Sequence, residues 1–253
     1  MKHLKLGGLL VGVLLVLTGC QAVENEEGFF YSFFVQPMDS LLDFLGNSVF
    51  NGSYGLAIIS ITVAIRLVLM PFMLRNYRTQ ALMKTKMDIV KPKMEEIQGK
   101  MKAAQTKDEQ MVLQQEMLGL YREHGINPLN MGCLPILIQM PIIMGLYFAI
   151  LYSADVKTHE FLWFDLGTPD IIMTIIAGVI YMVQAKVSLW TVPDAQKAQM
   201  KWLIYISPIM IVIISFSSMA ALPLYWSVGG FILILQTYIG RKYYSQLPET
   251  EKK

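Results

Sequence analysis

The chain has 253 residues, 54% of them hydrophobic and 16% charged, with a mean hydropathy of +0.45. Soluble domains carry about 25% charged residues, so these figures exclude both a water-soluble globule and a disordered chain. The formal charge is only +2, and two cysteines exclude a disulfide scaffold or a multi-cysteine metal site.

Residues 1–19 read as a secretory signal. Lys2 and Lys5 precede an apolar run over 6–17, followed by Leu17-Thr18-Gly19-Cys20. A short basic start, a short apolar core and small residues before a processing point make such a signal, and the run is too short for a spanning helix. Leu-Thr-Gly-Cys resembles the bacterial lipoprotein box. That resemblance implies cleavage before Cys20 and a lipid on its sulfur, tethering residues 20–53 outside the membrane. Within this stretch, residues 29–50 are rich in aromatics, with Asp39, Asp43 and Asn47 at helical spacing. The pattern predicts an amphipathic helix on the outer surface.

Five apolar segments follow, at 54–74, 131–152, 170–187, 202–219 and 222–240. At about 1.5 Å per residue they reach across, or nearly across, a ~30 Å hydrocarbon core. The third and fourth are short and call for thinned bilayer or shielding by neighbours. Cys133 falls in an apolar segment and reads as a buried, inert thiol.

Arg66 stands inside the first segment, eight residues before Leu74. That spacing is a depth of roughly 12 Å, hard for an arginine to snorkel across. Inserting arginine mid-helix costs about 2.5–3.5 kcal/mol on translocon scales. The spans hold no Asp or Glu to pair with it, so the cation calls for a hydrated cavity and an anion from elsewhere. Gln139 lies eight residues past Met131 on a span running the other way, at a matching depth. Ser60, Thr62, Thr174, Gln184, Ser207, Ser215 and Gln236 add polar groups that are weak signals singly. Tyr225 and Trp226 fit an interfacial aromatic belt.

Residues 75–130 predict an antiparallel helical hairpin. Met83, Met87, Val90, Met94, Ile97 and Met101 are spaced as a heptad seam, and Leu113, Met117, Leu120 and His124 continue it after a polar break at 102–108. Pro92 interrupts the first seam and suggests that the packed helix starts there, with 75–91 a bent exit from the span. Met83, Met87, Met94 and Met101 are candidate contacts for varied apolar partners, and the lysine-rich faces suit anionic lipid heads or ribosomal RNA phosphate. No module for specific DNA or RNA reading is present.

Sorting the charges orients the chain. Seventeen Lys and Arg, with ten acids, fall in 75–130, 188–201 and its flanks, and the tail 241–253, whereas 20–53 and the loop 153–169 with its flank hold nine acids and Lys157 alone. The positive-inside rule puts residues 20–53 outside and the C-terminus in the cytoplasm. This agrees with a Cys20 lipidated on the outer face of a bacterial cell membrane.

The motifs then become specific. Lys91-Pro92-Lys93-Met94 opens the hairpin. Gly125-Ile126-Asn127-Pro128-Leu129 leads into Gly132-Cys133-Leu134-Pro135-Ile136-Leu137-Ile138-Gln139-Met140-Pro141-Ile142. This run resembles the YidC family of membrane protein insertases, in its Gram-positive lipoprotein form, over residues 20–242. The resemblance implies an all-α membrane protein with five transmembrane helices around a hydrophilic groove, open to the cytoplasm and closed outside. It implies that Arg66 is the groove cation and gives groove roles to Gln139, Gln184 and Trp226. It also implies nascent membrane proteins as substrates, with action alone and beside the Sec translocon. The large extra outer domain of Gram-negative members is missing.

No cofactor and no enzymatic reaction are expected. The Gly-x-x-x-x-Gly-Lys-Ser/Thr loop of ATP hydrolysis is absent, and the spans hold no Ser/His pair, carboxylate pair or His-Glu-x-x-His. A small-anion carrier built on Arg66 would show two-fold repeats and broken helices. A chaperone that does not insert would use the hairpin without Arg66.

Overall fold

A computed structural model describes residues 27–126, 133–192 and 197–244. Cys20, residues 127–132 of the insertase-like run and the Cys133 thiol lie outside the described residues. The fold is all-α apart from one small hairpin. A short α-turn α1 (Gly28–Phe30), a π-helical stretch (Tyr31–Val35), α2 (Gln36–Asp43) and a second π-helical stretch (Phe44–Val49) form a continuous helical path. The long α3 (Tyr54–Ala103) and α4 (Lys107–Glu123) follow, then α5 (Cys133–Tyr152) and the short α6 (Ala154–Thr158). The antiparallel pair β1 (Glu160–Phe161) and β2 (Phe164–Asp165) precedes α7 (Ile171–Ser188), α8 (Lys197–Ser215) and α9 (Ala221–Tyr244).

Among the described residues, Tyr54–Ala103, Ile171–Ser188 and Ala221–Tyr243 are long and apolar enough to cross a membrane. Gln139–Tyr152 and Met200–Ser215 are shorter apolar helices. Their surfaces are inverted relative to a soluble protein. On α7 the exposed large apolar side chains are Ile171, Ile172, Ile175, Val179, Met182 and Val183, one stripe at helical spacing, while Thr174, Ala177 and Ala185 are buried. On α8 they are Trp202, Leu203, Ile206, Ile209, Met210, Ile213 and Ile214. A contiguous outward apolar face of this kind suits hydrocarbon, not water.

The described chain divides into two compact units. The first takes in residues up to Ala64, Leu137–Ile175 and Ile213–Val228. Here Val35 packs with Phe148 and Ala149, flanked by Phe30, Met38 and Met144. Tyr54 is fully buried, receives a 2.9 Å bond from Asn47 Nδ2 and donates to Asp43 at 3.3 Å. Gly55 admits the Phe161 ring where a Cβ would collide with it. The amides of Ala220 and Ala221 donate to the carbonyls of Thr168 and Leu166 at 2.8 and 3.0 Å, satisfying donors at the start of α9.

The second unit comprises Ile65–Ile136, Ile176–Val212 and the chain from Gly229. Its hairpin core is Met83, Met87, Val90, Met94, Ile97, Leu120 and Ile126, with Met101, Leu113, Met117 and Tyr121 at its border. Thr106 opens α4 with a capping box: its hydroxyl accepts from the Glu109 amide at 3.2 Å, and Glu109 accepts from the Thr106 amide at 3.3 Å. Pro92 does not start the packed helix. The helix runs through it to Ala103, and Met83, Met87 and Val90 are already in the seam. Pro92 is exposed, so the ladder bond it removes leaves a carbonyl on the solvated side. Near the base of the hairpin, Lys84 Nζ donates to the Trp190 carbonyl at 3.4 Å and the Arg241 guanidinium lies 4.9 Å from the Trp190 ring centre.

Candidate functional site

Arg66 sits on α3 in the run from Ile58 to Met70, with Leu67 and Val68 exposed beside it at 57% and 77%. Its own side chain is half-buried. Among the described residues, no hydrogen bond or ion pair engages its guanidinium. The described ion pairs Lys91–Glu95 and Lys100–Glu96 both lie on the hairpin. A guanidinium offers five donors in a planar fork and no acceptor, a match for a carboxylate.

Four residues of the second unit form its surroundings. The Arg66 charge acts on the hydroxyls of Tyr77 and Tyr181. Gln236 of α9, 1% exposed, donates from Nε2 to the Arg66 carbonyl at 3.0 Å. Next to it, Thr237 shares a 2.7 Å hydroxyl bond with Tyr77. Gly240 completes this contact, because a Cβ there would stand 2.5 Å from the Tyr77 ring. Two further close approaches shape the unit: Gly178 against Val212, and Gly230 against Ile180 and Tyr181. Small residues let apolar helices approach at such distances.

The other candidates fall in several places. Gln184, also in the second unit, donates to Ser188 on its own helix at 2.8 Å. Gln139 is 9% exposed and Trp226 is half-buried, both in the first unit. Thr62 and Thr174 return their hydroxyls to the carbonyls of Ile58 and Asp170, so they are satisfied locally. The seam methionines are taken up by the hairpin itself. Met83, Met87 and Met94 are buried between its helices, and Met101 is partly so. The large apolar side chains exposed on the hairpin surface are Ile89, Met111, Val112 and Leu118.

Sequence reasoning missed Tyr77, Tyr181 and Thr237 and treated Gln236 as one polar residue among several. Glutamine in an apolar span was a usable signal, since a buried amide needs a partner. Which partner it takes depends on a residue 170 positions away.

The family model described as "60Kd inner membrane protein" matches residues 45–247. The chain belongs to that family. Relatives that carry the name "Membrane protein insertase YidC" include two from Staphylococcus. The one from Staphylococcus haemolyticus (strain JCSC1435) is 46% identical over 258 residues, covering 99% of this chain and 89% of the relative. The one from Staphylococcus aureus (strain JH9) is 47% identical with the same coverage. Membership in the 60Kd inner membrane protein family, together with the apolar helices, makes this a multi-pass membrane protein. It also places Arg66, Tyr77, Tyr181, Gln184, Gln236 and Trp226 inside the family-matched region.

Proposed function

We propose that the chain is a membrane protein insertase that also helps its substrates fold. The apolar segments 54–74, 131–152, 170–187, 202–219 and 222–240 are its five spans. The C-terminus and the hairpin 75–130 lie in the cytoplasm, and Cys20 carries a lipid outside. A nascent membrane protein meets the hairpin at the inner surface, through its lysine-rich faces and the exposed Ile89, Met111, Val112 and Leu118. The substrate's short acidic outer segment enters a hydrated groove lined by Arg66, Gln139, Gln184 and Trp226. Arg66 lowers the cost of holding a carboxylate at that depth. Burial of the substrate's apolar helix in lipid drives the step. Ribosome and Sec translocon are partners of the same pathway.

One observation carries this reading: a half-buried arginine, set in an apolar helix, whose guanidinium has no partner among the described residues. The names of the relatives supply the reaction. The test is insertion of an acidic-tailed, single-span substrate into liposomes. Arg66→Lys should retain part of the activity and Arg66→Ala should lose most of it. Equal insertion by wild type and Arg66→Ala removes Arg66 from the mechanism.

A further inference from the structure

Residues 153–170 connect the end of α5 at Tyr152 to the start of α7 at Ile171. Within this loop Glu160 pairs with Asp165 and Phe161 with Phe164, so Leu162 and Trp163 make a two-residue turn. Such turns need a positive φ, which Gly, Asn or Asp usually supplies. Here Leu162 holds it, at φ 57°. The Cβ of a leucine makes that conformation unfavourable. Packing within the protein does not offset the strain, because Leu162 is 76% exposed and Trp163 52%. In water this would be a strained turn displaying two large apolar groups.

The turn stands on a fixed base within the first unit. The Trp163 ring meets Phe164 edge-on, with centres 5.3 Å apart, and Phe164 meets Phe161 at 5.9 Å. Phe161 fills the space that Gly55 leaves on α3. Behind the strands, the Leu166 amide donates to the His159 carbonyl at 3.0 Å and the Gly167 amide to the Asp165 carboxylate at 2.7 Å. The carbonyls of Leu166 and Thr168 receive the Ala221 and Ala220 amides, so the loop is tied to the starts of both α3 and α9.

We propose that Leu162 and Trp163 are a membrane anchor: the turn inserts into the lipid interface at the end of the molecule where α5 stops and α7 begins. This rests on the reading of 131–152 and 170–187 as spans. The loop then leaves and rejoins the bilayer over residues 153–170, and it rejoins at Ile171 and Ile172, which are exposed apolar groups. Tryptophan suits the headgroup level, with an apolar ring and one N–H for the wet side. Leucine adds apolar area, and its burial in lipid offsets the strain of the turn. The nearest charges, Glu160 and Asp165, stand one residue pair behind the tip, where they stay in water. The loop holds Asp155, Glu160, Asp165 and Asp170 against one lysine, Lys157, so the insertion is apolar and needs no anionic lipid.

The experiment uses the full-length protein in liposomes of phosphatidylcholine brominated on its acyl chains. The chain has four tryptophans, Trp163, Trp190, Trp202 and Trp226, so the emission of wild type minus that of Trp163→Phe isolates Trp163. That component should be shifted to the blue, quenched by the brominated lipid and protected from aqueous iodide. Adding phosphatidylglycerol should leave it unchanged. Leu162→Asn puts a residue that tolerates positive φ into the turn, so it keeps the fold while removing the apolar side chain. In that background the Trp163 component should shift to the red and lose most of its lipid quenching. Quenching by iodide in the wild type places the tip in water and overturns the inference. Protection from both quenchers puts protein on the tip, a second copy or another partner, and overturns it as well. So does a Trp163 signal that Leu162→Asn leaves unchanged. Val179→Trp, on the exposed face of α7, is the lipid reference. Lipid quenching there but not at Trp163 defeats the anchor alone, whereas quenching at neither position defeats the spans too.

Discussion

Tyr77 and Thr237, 160 residues apart, share a hydroxyl bond of 2.7 Å that ties α3 to α9 just beyond Arg66. The bond depends on Gly240, which leaves room for the Tyr77 ring. Tyr77→Phe keeps the ring and loses the bond, at about 0.5–1.5 kcal/mol. Gly240→Val drives a side chain into the ring and should cost about 1–3 kcal/mol or more. Thermal unfolding in detergent should rank wild type above Tyr77→Phe and Tyr77→Phe above Gly240→Val. A Gly240→Val protein as stable as wild type would show that this contact does not hold the helices.

The hairpin makes a separate prediction. Met87 is fully buried at the centre of the seam. Met87→Ala leaves a cavity there and should cost about 2–5 kcal/mol. Met111, by contrast, is 53% exposed, and Met111→Ala should cost almost nothing in stability. Hydrogen exchange across residues 83–123 separates the two. The first variant loses protection and the second keeps it. If the exposed methionine also serves the nascent chain, Met111→Ala lowers substrate crosslinking while leaving the exchange pattern unchanged.

Alkaline pH should loosen the same hairpin. Burial raises the Tyr121 phenol above its ordinary value of 10.0. The folded state therefore holds this proton more tightly than the unfolded state does. The stabilisation is fully present below pH 10.0 and is lost as pH rises from there through the folded value. Exchange protection of the hairpin should fall above that pH, and Tyr121→Phe should remove this component of the decline. An identical alkaline profile in Tyr121→Phe would show that another group is responsible.

Local rules read some features of this protein and misread others. The apolar segments and the Arg66 anomaly were legible because each is a property of a short window: hydropathy summed over a helix length, or one charge inside it. The heptad spacing of Met83, Met87, Met94 and Met101 likewise announced a buried stripe. It did not say what buries them, and in the fold they close on α4 at Leu113, Met117, Leu120 and Tyr121 and on its flank at Ile126. Pro92 shows the opposite error. Its local meaning is a break, yet α3 continues because the lost bond falls on an exposed face.

The sequence by itself therefore determined that the chain is an all-α membrane protein with one misplaced cation and a basic hairpin, because hydrophobic patterning and charge are written residue by residue. Only the tertiary structure decided what stands around that cation. Whether Gln236 meets the Arg66 carbonyl, and Thr237 meets Tyr77, depends on the rotation and approach of two helices far apart in the chain. Those are set by packing at glycines such as Gly240, whose role is invisible until the opposing ring is in place.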